Sequence, residues 1–142
     1  MNSLARGLRH SETLRVEPRH TVPGISSDWP GFSDMPPVFA TAMMVGFMEQ
    51  TCIQALRPYL SAGQQSVGTH VEMSHVAATP EGMTVTAEIE LVEIEGRALT
   101  FRVSCHDEAG LIGEGLHKRA VIDTERFMAR VANKADKNLR RE

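Results

Sequence analysis

A nineteen-residue stretch framed by prolines constrains this chain more than any other feature. The run VFATAMMVGFMEQTCIQAL, positions 38–56, follows Pro36 and Pro37 and is stopped by Pro58. Proline at the first turn and again just past the end is ordinary helix punctuation. Phe39, Met43, Met44, Val45, Phe47, Met48, Cys52, Ile53 and Leu56 then fall on nearly every side of the helix. A helix that is apolar all round is a buried one. With 142 residues the chain has the length of one domain, typically about 100–150 residues. Burial on all sides in one such domain calls for a sheet wrapped around the helix.

The remaining sequence supplies that sheet. Val85, Ala87, Ile89 and Leu91 alternate with Thr84, Thr86, Glu88 and Glu90, the period of a half-buried strand. After a turn at Glu95–Gly96, Leu99, Phe101, Val103 and Cys105 alternate with Thr100, Arg102, Ser104 and His106. A second turn at Asp107–Gly110 leads into LIGEGLHKRAVID, positions 111–123, whose Gly113 and Gly115 suggest a bulge or a close backbone approach. Gln65 to His75 reads as another strand, with Val67, Val71, Met73 and His75 on one face. Upstream, Thr13 to Val22 reads as an edge strand because it contains Pro18. Residues 1–12 read as a loose arm, 13–133 as the domain, and 134–142 as a charged, frayed tail beyond a short helix. Strands joined by short turns exclude parallel crossovers, so the fold class is α+β: one long helix gripped by a curved antiparallel sheet, the hotdog architecture.

Composition removes several function classes. Apolar residues at 42% with 23% charged describe a globular chain, not a disordered one. A net charge of −3 gives no general attraction to nucleic acid or to an acidic membrane. The longest apolar stretch is broken by Thr41, Gly46, Glu49 and Gln50 and falls short of the roughly 20 residues of a membrane span. MNSLARGLRHSE lacks the apolar core of a signal peptide. Cys52 and Cys105 have no metal or redox spacing and read as buried thiols of a reducing compartment. The expected location is the cytoplasm. The histidines, His10, His20, His70, His106 and His117 among them, are scattered, so a metal site is not expected.

Three groups stand out within these elements. A carboxylate at Glu49 in so apolar a helix is costly to bury without a role or a partner. Thr41 near the helix start supplies a hydroxyl, and His75 an imidazole sharing strand parity with apolar neighbours. A hydroxyl, a carboxylate and a proton carrier are parts from which acyl transfer can be built. Each also has a bland account. Thr41 can simply bond the backbone at a helix start, Glu49 can pair with Arg57 or lie on a polar stripe with Gln50, and a lone inward histidine is often a core residue. The loop VPGISSDWPGFSDMPP, positions 22–37, is long for a compact domain, as binding lids often are.

PPVFATAMMVGFMEQTCIQALRPYL, SVGTHVEMSHVAATPEGMTVTAEIELVEIEGRALTFRVSCHDE and GEGLHKRAVID together resemble the fluoroacetyl-CoA thioesterase family of hotdog proteins, over roughly Thr13 to Val131. The carriers are the A-T-x7-E pattern of the helix and the segment SHVAATP. The resemblance implies that Thr41, Glu49 and His75 are catalytic. It also implies that Gly68 offers a backbone donor near the acyl group, that Arg119 lies beside the substrate, and that two copies pair with sites at their interface. Coenzyme A then belongs to the substrate, and no separate cofactor is implied. In the member specialised for fluoroacetyl-CoA a phenylalanine stands in the lid where this chain has Met35. Methionine specifies a pocket poorly, so a short or modified acyl-CoA is the expected substrate. Met35 and Phe39, with Trp29 and Phe32, would set pocket depth.

Thr41 and Glu49 are eight residues apart, about 12 Å along a regular helix and about 80° around it. They meet only if the first turn is distorted or if two subunits contribute. Gly68 can serve to relieve crowding or to let an acyl group reach a backbone N–H; the bland role of Arg119 is a surface cation. The residues leave open whether Thr41 attacks or positions water, and whether Glu49 polarises the pair or attacks the carbonyl itself. A non-catalytic acyl-CoA or small-ligand binding domain is the alternative, since fold does not give function. A hydratase is disfavoured because the helix lacks its Asp and His pair.

Overall fold

The computed structural model describes residues 3–140. In chain order the elements are β1 (Arg9–Arg15), a short turn of helix α1 (Pro30–Ser33), the long helix α2 (Thr41–Leu56), β2 (Gln64–Met73), β3 (Thr84–Glu95), β4 (Ala98–Asp107), β5 (Gly110–Asp123) and α3 (Thr124–Arg140). The strands form one sheet in the order β1-β3-β4-β5-β2. Every pairing is antiparallel. The sheet curves around α2 as the hotdog arrangement requires.

The alternation expected on β3 and β4 is the one that forms the core. Val85, Ala87, Ile89 and Leu91 pack with Leu99, Phe101, Val103 and Cys105 beneath Met44, Met48, Cys52 and Leu56 of α2. Each large apolar side chain fully buried this way contributes roughly 1.5–3 kcal/mol. The turn between β3 and β4 is a two-residue hairpin. Gly96 occupies its first central position at φ 62, a conformation that only glycine adopts at no cost. Helix α2 starts later than the sequence suggests. Val38 and Phe39 form isolated bridges to Pro80 and Thr21, and Ala40 is the cap, so Thr41 is the first helical residue.

Three other expectations are corrected. The first strand is Arg9–Arg15 rather than Thr13–Val22. The last four residues of the presumed arm are therefore sheet, and Leu4 and Leu8 pack on the core; residues 1–2 lie outside the described range. The last helix continues to Arg140 rather than ending near residue 133. On β2 the supposed single face is two faces. A bulge between Gly68 and His70 shifts the register, so Val67 pairs with Ala120 whereas Val71 pairs with His117. His117 is buried, so Val71 shares the inward face and Val67 does not. Alternation cannot reveal a bulge that resets it.

Two glycines place the end of β2. A Cβ on Gly115 would meet the Glu72 carbonyl oxygen, and one on Gly113 the Ser74 carbonyl oxygen. Bare at both positions, β5 lets the chain from Glu72 to Val76 lie against it. Ser74 N–H donates to Glu114 O at 2.8 Å and Val76 N–H to Ile112 O at 2.7 Å. His75, beyond the end of β2, is thereby held over the first turn of α2. A Gly115→Ala substitution forces backbone to move and should cost about 1–3 kcal/mol. Thermal denaturation checks this, the expected result being a midpoint lowered by several degrees.

Candidate active site

Two clusters of chemistry-bearing side chains occupy different stretches of α2. At its first turn, Thr41 Oγ1 and His75 Nδ1 are 2.7 Å apart. They sit in a hollow of about 310 Å³ walled by Val22, Val38, Phe39 and Val76. His75 Nε2 is enclosed and has no hydrogen-bond partner. Burial pushes the His75 pKa below its usual 6.5, against a weaker pull from the Ala77 backbone. A neutral imidazole with one nitrogen on a hydroxyl and the other free is suited to carrying a proton.

The second cluster lies two turns along. Glu49 accepts from Arg119 Nη1 at 3.3 Å. Arg119 is only 3% exposed, so the surface-cation account fails. Its Nε and Nη2 donate to the Ser66 hydroxyl and carbonyl, each at 2.9 Å, and Nη1 lies 3.0 Å from His117 Nε2. His117 Nδ1 is 2.8 Å from the His70 carbonyl oxygen. A carbonyl only accepts, so Nδ1 carries the proton and Nε2 accepts from Arg119. Gly68 faces this hub. A Cβ there would stand 3.2 Å from both Glu49 Oε2 and His117 Cε1, so the missing side chain makes room for the carboxylate and the ring.

Thr41 and His75 thus meet, Glu49, Gly68 and Arg119 meet, and within one chain the two groups are separate. Phe39 forms part of the wall beside Thr41 and His75. Met35 does not; it stands 45% exposed on the loop before α2, near Trp29 and Phe32, whose rings stack edge-to-face at 5.2 Å. A cleft of about 760 Å³ is on the outer face of the sheet among Arg9, Glu90 and Arg102, away from both clusters. Neither cysteine is poised as a nucleophile: burial pushes Cys52 up to about 12 and Cys105 up to about 11.

Residues 16–125 match the family of fluoroacetyl-CoA-specific thioesterases typified by FlK. The chain belongs to that family. It is 47% identical over 128 residues to the fluoroacetyl-CoA thioesterase of Streptantibioticus cattleyicolor, covering 90% of this chain and 92% of that one. A solved structure of FlK shares 45% identity and superposes with a TM-score of 0.91 over 94% of this chain and 98% of the other. A mutant FlK in complex with acetyl-CoA gives 45% identity and a TM-score of 0.89 over 92% and 98%.

The sequence missed two members of the hub. In the sequence His117 is one of several scattered histidines, although it shares the parity of Arg119 on β5. Ser66 carried no signal beyond lying two residues before Gly68. The hub makes a checkable statement about His117, whose pKa burial and the neighbouring guanidinium lower from 6.5, against the pull of the His70 carbonyl. At pH 6.5, nitrogen-15 NMR should find its ring neutral with the proton on Nδ1. The unfolded chain then binds protons more readily than the folded one just below 6.5. Folding stability should therefore be complete above that pH and decline as pH falls through the window beneath it.

Proposed function

We propose that this protein is an acyl-CoA thioesterase acting on short or modified acyl groups of the fluoroacetyl-CoA kind, releasing the free acid and coenzyme A. The hydrogen bond between Thr41 and His75 carries the reading: it couples a hydroxyl to a neutral proton carrier at the mouth of a small hollow. Membership of the family supplies the substrate class. In this reading Thr41 positions a water molecule and His75 takes its proton. The water oxygen adds to the thioester carbonyl, the carbon–sulfur bond breaks, and the proton passes to the departing thiolate. Glu49 acts as a fixed charge near the acyl group rather than as the attacking group, because its carboxylate is already shared with Arg119. Gly68 offers a backbone donor near the acyl group, Phe39 walls the pocket, and Met35 lies on the lid that closes it.

The working form is a homodimer with sites between its subunits. One sheet edge, β2, is ten residues long and presents Val71 at 44% exposure, and a long unpaired edge is a template for pairing. Antiparallel pairing of two such edges carries the Thr41–His75 end of one copy toward the Glu49–Arg119 hub of the other. Among the described residues no helix is long and apolar enough to cross a membrane. The buried free thiols of Cys52 and Cys105 fit action in the cytoplasm. Neither nucleic acid nor membrane is a partner, and no cofactor beyond the substrate's own coenzyme A takes part.

Free-thiol release from a panel of acetyl-, fluoroacetyl- and longer acyl-CoA thioesters tests the activity. Short thioesters should be cleaved, and His75→Ala should lower kcat by about 100-fold or more, the usual worth of a positioned proton carrier. Binding of acyl-CoA without any thiol release would instead favour a sensor. Undiminished turnover by both His75→Ala and Glu49→Gln would place the chemistry elsewhere.

A further inference from the structure

Charge is unevenly spread along this chain. Six of its fifteen Lys and Arg residues lie beyond Asp123, against three of its eighteen Asp and Glu. Two of those six, Arg126 and Arg130, stand one turn apart on α3. They line a cleft of about 560 Å³ together with Arg97, Val121, Ile122 and Asp123. Arg97 comes from the hairpin between β3 and β4, so separate elements bring the three guanidinium-bearing residues to one place. Arg97 Nη1 donates to the Val121 carbonyl at 3.4 Å, and Arg130 lies over the Phe127 ring at 6.0 Å. Among the described residues none of the three forms a salt bridge. Asp123, the carboxylate in the cleft, already accepts the Arg126 backbone N–H at 3.2 Å.

The cleft lies farther along the same pair of strands as the Arg119 hub. Val121 is the register partner of Ser66, and Ile122 and Asp123 pair with Gln65 and Gln64. Ser66 is the residue whose hydroxyl and carbonyl hold Arg119. At about 3.3 Å per residue, the cleft floor begins roughly 7 Å along β5 from Arg119 and runs to roughly 13 Å. A ligand with a reacting group at the hub and an anionic group farther out along the strand would reach both. Three arginines from two directions, with no salt bridge among the described residues, suit a phosphate cluster, because a guanidinium offers paired donors to phosphate oxygens.

We propose that Arg97, Arg126 and Arg130 bind the phosphate groups at the nucleotide end of the CoA thioester. This rests on the acyl-CoA reading of the active site. The cleft sets affinity for the carrier portion of the substrate and takes no part in cleaving the thioester.

Acetyl-CoA and acetyl-pantetheine, the same thioester without nucleotide phosphates, separate the two claims. The expected result is a lower KM for acetyl-CoA in the unaltered protein. In the double variant Arg126→Glu, Arg130→Glu, KM for acetyl-CoA should rise at least ~10-fold and lose most of its salt dependence, with kcat kept. KM for acetyl-pantetheine should not move. Lys134→Glu, Lys137→Glu makes the same change of charge on the same helix outside the cleft and should leave KM for acetyl-CoA in place. Calorimetric titration with adenosine 3′,5′-bisphosphate reads the cleft directly, even if neither thioester is hydrolysed and the proposed activity fails. It should bind the unaltered protein and not the arginine variant, and inorganic pyrophosphate should bind more weakly. Equal KM values for the two thioesters, an equal effect of the lysine variant, or bisphosphate binding that survives arginine reversal would overturn the proposal. Pyrophosphate binding as tight as that of the bisphosphate would reassign the cleft to free phosphate and overturn it as well.

Discussion

The buried guanidinium of Arg119 is the interaction on which the candidate site depends. A cation at 3% exposure is tolerable only if most of its donors are met and its charge is paired. Here a serine hydroxyl, a backbone carbonyl, an imidazole nitrogen and a carboxylate meet four of its five N–H donors. Removing one partner of a fully buried pair costs about 3–5 kcal/mol. The cost at Glu49 is smaller, because its side chain keeps 37% exposure and the other partners of Arg119 remain. What the hub secures is direction. Glu49 is turned toward β2 and β5, Gly68 is kept bare to admit it, and the His117 tautomer is fixed by the His70 carbonyl at the β-bulge.

The second constraint is the geometry of α2. One residue adds about 1.5 Å along a helix, so the hydroxyl at position 41 and the carboxylate at 49 lie about 12 Å apart along its axis. The helix begins regularly at Thr41, with Ala40 as a plain cap, which removes the distorted first turn as a way of joining them. A site that uses both groups has to borrow one from a second copy. The unpaired β2 edge is where such a copy would join, and the hollow over Thr41 and His75, open and about 310 Å³ in one chain, would then be completed by the partner.

Most of the fold was legible in the sequence because strands β3 and β4 alternate without interruption and prolines frame the helix. Legibility failed where a local irregularity resets a pattern. The bulge after Gly68 put Val67 and Val71 on opposite faces, and the first strand lies earlier than Thr13–Val22 because Pro18 opens a turn of 3-10 helix rather than continuing it. The amphipathic α3 was cut short because its polar residues outnumber its apolar ones. At the site, Thr41, Glu49 and His75 were legible as an unusual trio in apolar surroundings, and Gly113 and Gly115 as points of close approach. Arg119 was legible as a position but not as a buried one, and His117 was invisible. Burial of a cation depends on partners from β2 and α2, which no spacing along β5 reveals.

Mixing two inactive chains tests the composite site most directly. Thr41→Ala lacks one half and Glu49→Gln the other, and each alone should be nearly inactive. In a two-fold dimer whose sites draw Thr41 and Glu49 from different subunits, each mixed dimer holds one intact site. Equal parts, unfolded together and refolded, should then recover about a quarter of the activity of the unaltered protein. A mixture no more active than its components would contradict a site shared between two copies.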